Sequence, residues 1–207
     1  VAPPRAGERH IAGSLLLTDL RDLTAAVHRT RWLLDLDADP VAIDGALGTD
    51  PALAPLVAER PGLRVAGSAD PAETLVRAIV GQQVSVSGAR TVLGRIVAAL
   101  GEPSAVPDDR LTHVFPTMER LATADGGALP MPASRAATLR EAARLVADGE
   151  LALDPGADRT AIVDRLVAVR GIGPWTANYV VMRGLGDPDV FLDTDLGVRQ
   201  ALASLDL

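Results

Sequence analysis

Five residues, Arg170-Gly171-Ile172-Gly173-Pro174, must reverse the chain between two helix-like segments. Leu166 to Val169 closes one apolar-periodic run and Trp175 opens the next, which predicts an αα-hairpin. Glycine at 171 and 173 permits positive φ and lets another backbone approach closely. Pro174 suits the first turn of a helix, where its missing N–H costs nothing. Ile172 is expected to point inward and pin the turn. The free amides of the second helix, with its dipole, then face outward as an anion site. On these residues alone, the better reading is an ordinary hairpin with a glycine cap.

The rest of the chain agrees with a helical frame. Hydrophobic residues make up 48% of the 207, enough to bury a core. Ala, Leu and Arg dominate, with few of the β-branched and aromatic runs that strands need. Only five aromatics occur, and three of them, Trp175, Tyr179 and Phe191, fall close behind the glycine turn. The absence of cysteine excludes disulfides and cysteine-ligated metal within the chain. All 20 basic residues are arginine. No lysine is therefore present to form a Schiff base. A net charge of −7 argues against nucleic-acid binding through a basic surface, though amide donors carry no net charge. No apolar run reaches transmembrane length.

Residues 1–17 are expected to be a linker or the remnant of a preceding domain, and 18–207 a helical domain with its hairpin at 166–183. Apolar residues at 16, 20, 23, 27 and 34 predict a first helix ending near Asp37–Pro40. Short helices are predicted at Pro40–Leu47 and Pro51–Val57. Asp70-Pro71 opens another as N-cap and first residue, running to about Val80 and the break GQQVSV at 81–86. A helix carrying Val92, Ile96, Val97 and Leu100 follows, then a loop at Gly101–Pro107 and helices at 116–124, 132–148 and 158–169. The only candidates for extended structure are 11–17 and 188–192. The expected class is all-α, with nine or ten helices.

Past the hairpin helix, Asp193 and Thr194 are N-cap candidates for a helix starting near Leu196, and Asp195 is placed in its first turn. Carboxylates at such positions are attracted to the positive helix end and usually serve only as caps.

Five strings together resemble the AlkA-type 3-methyladenine DNA glycosylases of the helix-hairpin-helix DNA glycosylase superfamily. They are RPGLRVAG (60–67), RAIVGQQVSVSGARTVLGRIV (77–97), LPMPASRAATLREAARLV (129–146), GIGPWTANYVVMRG (171–184) and DPDVFLDTDLGVRQ (187–200). The resemblance runs from about residue 30 onward. It implies an all-α helix-hairpin-helix glycosylase fold with at most a remnant strand of an N-terminal β-rich domain. It also implies a chain truncated at its C-terminus.

The resemblance further implies site roles. Asp195 is the catalytic residue, while Trp175 and Tyr179 line a pocket whose electron-rich faces suit a cationic base. Gly171, Ile172, Gly173 and Thr176 belong to the DNA-gripping hairpin, and Gln83 stands at the position of a wedge that fills the gap left by a flipped nucleotide. Related lyases carry lysine where this chain has Trp175, so the implied activity is monofunctional hydrolysis. No cofactor is required, and a monovalent cation at the hairpin carbonyls is compatible. The implied partner is double-stranded DNA containing alkylated bases, in the bacterial cytoplasm and with the nucleoid. An N-terminal fusion to an Ada-like regulator also fits this lysine-free style. Two other readings stay open: a non-catalytic helix-hairpin-helix DNA-binding module, and a glycosylase for deaminated or oxidised bases.

Overall fold

A computed structural model describes residues 10–105 and 111–205. Residues 1–9 of the expected leading segment and 106–107 of the expected loop lie outside the described residues. Among the described residues, a 3-10 turn at Leu20–Asp22 is followed by ten α-helices: α1 (Leu23–Leu33), α2 (Pro40–Leu47), α3 (Ala54–Glu59), α4 (Pro71–Gly81), α5 (Val86–Leu100), α6 (Met118–Ala122), α7 (Ala133–Ala147), α8 (Arg159–Ala168), α9 (Pro174–Leu185) and α10 (Leu196–Ser204). Neither expected extended piece forms a strand among the described residues. Ala12 and a Pro103–His113 pair make only isolated bridges. The all-α expectation holds.

The core is built by α4 and α9 with α5 to α8 around them. Leu75, Val76, Ile79 and Val80 of α4 and Ala177, Val180, Val181 and Leu185 of α9 are essentially inaccessible. The two helices run antiparallel and approach closely where a β-carbon on Gly184 would lie 3.3 Å from Pro71. Asp70 starts α4 as the sequence predicts, accepting the Ala72 and Glu73 amides at 2.8 and 3.2 Å. Leu121, Leu139 and Leu166 of α6, α7 and α8 complete the buried cluster.

The N-terminal helices depart from the expected boundaries for local reasons. Asp19, rather than a residue near Leu16, starts the first helical turn by accepting the Arg21 amide. The helix then stops at Leu33, and Asp35 turns the chain with φ of 51°. Asp50 takes the Ala52 and Leu53 amides. That turn occupies the residues expected to begin α3, which starts three residues later.

None of α1, α2 and α3 contributes a residue to the buried core. They are tied to it through Trp32, whose ring lies over two glycines. A β-carbon on Gly186 would come within 2.7 Å of the indole, and one on Gly67 within 3.2 Å of the ring and 2.8 Å of the Trp32 carbonyl. The Arg183 guanidinium donates to the Ala66 carbonyl at 2.5 Å beside it. Gly186 also ends α9 in the left-handed region, φ 63°, where glycine is strongly favoured. Gly186→Ala should therefore lower stability by about 1–3 kcal/mol. Urea denaturation checks this, and an unchanged midpoint would remove Trp32 as the anchor of the N-terminal helices.

Candidate active site

Helices α8 and α9 form the expected hairpin. Ile172 is buried at its tip, as the sequence reading has it. Gly173 occupies the N-cap position of α9 and makes no side-chain cap bond. The amides of Gly171, Gly173 and Trp175 find no acceptor among the described residues. Donors grouped at a helix start in this way can receive phosphate oxygens.

The two glycines are not equivalent. Gly171 adopts φ of 96°, and a β-carbon there would lie 2.3 Å from the Thr138 hydroxyl oxygen. Gly173 has φ of −95° and open space where its β-carbon would be. Of the two properties that glycine permits at these positions, each residue uses a different one. Gly171 needs positive φ for the turn, whereas Gly173 only leaves the outer surface clear for an approaching backbone.

Two side chains hold the hairpin from behind. Thr138 of α7, buried, donates to the Arg170 carbonyl at 2.8 Å. Gln82, at the end of α4, donates through Nε2 to the Gly171 carbonyl at 3.0 Å and the Thr176 hydroxyl at 3.1 Å. Thr176 is itself buried, so its hydroxyl braces the hairpin instead of facing a ligand. Sequence reasoning missed Gln82 and Thr138. The doubled glutamine at 82–83 was the available signal for the first, and Thr138 carried none.

The downstream aspartate takes a more specific position than expected. Asp195 is the N-cap of α10, not a residue of its first turn. Its Oδ1 accepts the Gly197 and Val198 amides at 2.8 and 3.1 Å. Asp193 and Thr194 are exposed and make no cap bond. The other carboxylate oxygen of Asp195, Oδ2, accepts the indole N–H of Trp175 at 3.1 Å. Twenty residues apart in sequence, the two side chains form one unit.

Trp175 in turn stacks on Tyr179, with ring centroids 5.3 Å apart and planes at 17°. A base sandwiched between the rings would need roughly 7 Å, two stacking distances of ~3.5 Å. The pair therefore offers one continuous aromatic wall, not a slot. A cavity of about 340 Å³ adjoins Tyr179 between the 66–70 segment, α4 and α9, but Trp175 and Asp195 do not line it. Gln83 stands at the exposed tip of the α4–α5 turn with φ of 54°. Among the described residues no group of His, Asp and Glu is arranged to hold a metal ion. No helix described is long and apolar enough to cross a membrane.

The AlkA N-terminal domain family matches residues 2–70. A probable bifunctional transcriptional activator/DNA repair enzyme AlkA of Mycobacterium tuberculosis is 48% identical over 198 residues, 96% of this chain and 40% of its own length. The DNA-3-methyladenine glycosylase 2 of Escherichia coli is 40% identical over 172 residues, 81% of this chain and 58% of its own. The 3-methyladenine DNA-glycosylase structure from Archaeoglobus fulgidus superposes with a TM-score of 0.77 at 27% identity, covering 91% of this chain and 65% of that one. The chain belongs to the helix-hairpin-helix DNA glycosylase superfamily, on its AlkA-type branch. It spans about half the length of the curated relatives it matches.

For this AlkA-type chain the hairpin glycines give a direct comparison. Gly171→Ala should cost about 2–4 kcal/mol through the left-handed backbone and the Thr138 overlap. Gly173→Ala should change stability by under about 0.5 kcal/mol. Paired urea melts of the two variants measure the difference, and equal losses would contradict it.

Proposed function

We propose that this chain is the base-excising part of a monofunctional DNA glycosylase that releases alkylated purines of the 3-methyladenine and 7-methylguanine type from double-stranded DNA. The observation that carries the proposal is the Trp175–Asp195 hydrogen bond. It sets a carboxylate at the edge of an aromatic wall on the helix that begins at the hairpin.

The chemistry follows from that arrangement. An alkylated purine carries positive charge, so heterolysis of its bond to C1′ returns the bonding electrons to the ring and the base leaves neutral. Positive charge then develops on the sugar as an oxocarbenium ion, and water attacks C1′ with loss of a proton. Three N–H donors fix the Asp195 carboxylate, so its charge is in place before the bond breaks and needs no reorganisation. The remaining lone pair of Oδ2 can receive a proton from the attacking water. The outer face of the Trp175–Tyr179 pair would attract the cationic base by stacking and cation–π interaction. With tryptophan at 175 and no lysine in the chain, strand cleavage through a lysine Schiff base has no side chain to start from.

Grip and eversion fall to neighbouring elements. The free amides at Gly171 and Gly173 would take strand phosphates, and Gln83 would fill the space of the everted nucleotide. A monovalent cation at the hairpin carbonyls would meet those of Arg170 and Gly171 with one lone pair already taken by a side-chain donor and a second still available. The name of the tuberculosis relative joins a transcriptional activator to a repair enzyme, which supports an Ada-like regulator fused outside this chain. Such a protein would work in the cytoplasm, with the nucleoid.

Asp195→Asn keeps the shape of the carboxylate and removes its charge. It should lower release of 7-methylguanine and 3-methyladenine from methylated DNA about 10²-fold or more, while binding to duplex stays within about threefold. Unchanged release would leave a DNA-binding module without this chemistry. A panel of lesion-bearing duplexes tests the substrate class, and excision of hypoxanthine or oxidised pyrimidines without alkylpurines would overturn it.

A further inference from the structure

The turn between α4 and α5 is built in a way its sequence does not favour. Residues 81–84 form a type II β-turn, with Gln82 at φ −58°, ψ 126° and Gln83 at φ 54°. The third position of such a turn calls for glycine or asparagine, because a side chain there is strained. Gln83 occupies it. The turn's own closing hydrogen bond, from the Val84 amide to the Gly81 carbonyl, is long at 3.5 Å, so it contributes little to holding the strained residue.

What holds the turn is the side chain of Gln82. Its amide nitrogen has two protons and both are used, one on the Gly171 carbonyl and one on the Thr176 hydroxyl. These acceptors flank the free amides of the hairpin. One side chain therefore joins the residue at the tip of one loop to the backbone at the tip of another, across 89 and 94 positions of sequence. We propose that Gln82 is a positioning residue that couples the hairpin to the Gln83 turn, so that gripping a strand and inserting into the duplex occur as one event. This rests on the DNA-acting reading above but does not need its chemistry.

The alternative is that Gln82 only packs the hairpin in place, as Thr138 does through Arg170. The two residues provide the comparison. Gln82→Met keeps the length and removes both donors, and Gln82→Asn keeps the donors but cannot reach; Thr138→Val removes only the other brace. Each full-chain variant is titrated with undamaged duplex, to read grip. Each is then saturated with duplex carrying an abasic-site analogue beside 2-aminopurine, whose fluorescence reads opening of the stack.

Both Gln82 variants should lose at least half of the fluorescence rise even at saturation, a loss that any weaker binding of undamaged duplex does not account for. Thr138→Val should weaken duplex binding but give the full rise once saturated. A full rise in both Gln82 variants, or losses of grip and opening in the same proportion as in Thr138→Val, would overturn the coupling. If Gln82→Met fails to fold by thermal melting, Gln82→Asn decides the matter alone. Duplex opening by a wild-type protein that releases no base would sink the proposed activity and leave the coupling standing.

Discussion

The antiparallel pair α4–α9 is the constraint on which the rest of the molecule depends. It is fixed at both ends. At one, Gly184 lets α9 settle against Pro71 at the start of α4; at the other, Gln82 at the end of α4 bonds to Gly171 and Thr176 at the start of α9. Between them lies the most completely buried part of the core. Close-packed interiors transmit displacement instead of absorbing it. The hairpin, the α4–α5 turn and the aromatic wall are therefore parts of one rigid body, with spacing set by helix length.

On that body the site uses few residues for several tasks. Trp175 lies in the first turn of α9, forms half of the aromatic wall and donates to Asp195. Asp195 caps α10 with one oxygen and accepts the indole with the other. The cap bonds resemble those of Asp39, Asp70 and Asp158 at other helices in this chain. Only the tryptophan contact separates this aspartate from the rest. An ordinary capping residue thus becomes a site by virtue of what approaches its second oxygen.

Much of this was legible in the sequence where the signals are local. The Asp-Pro starts of α2 and α4 and the glycine turn at 171–173 act through neighbours within a few residues, and the helices they predict are present. The failures share one cause, which is competition between equally suitable local groups. Asp193, Thr194 and Asp195 can all cap α10, and the path of the preceding loop selects the last. Gly171 and Gly173 look alike until Thr138, 33 positions from the first, makes one of them obligatory. Leu16 fits the apolar spacing of α1, yet Asp19 captures the Arg21 amide and sets the start. The Gln82 link spans 89 and 94 positions of sequence, and no periodicity encodes it.

The placement of the only two tryptophans has an optical consequence. Trp32 lies over Gly67 and Gly186, where the N-terminal helices meet the end of α9, and Trp175 lies at its beginning with its indole N–H on a carboxylate. One indole lies over glycine backbone and beside the His28 ring, the other beside a phenol and an anion, and α9 separates them. Intrinsic emission from the unlabelled protein is therefore the sum of two chromophores in unlike surroundings. Red-edge excitation and iodide quenching can distinguish loosening of the N-terminal helices from events at the aromatic wall.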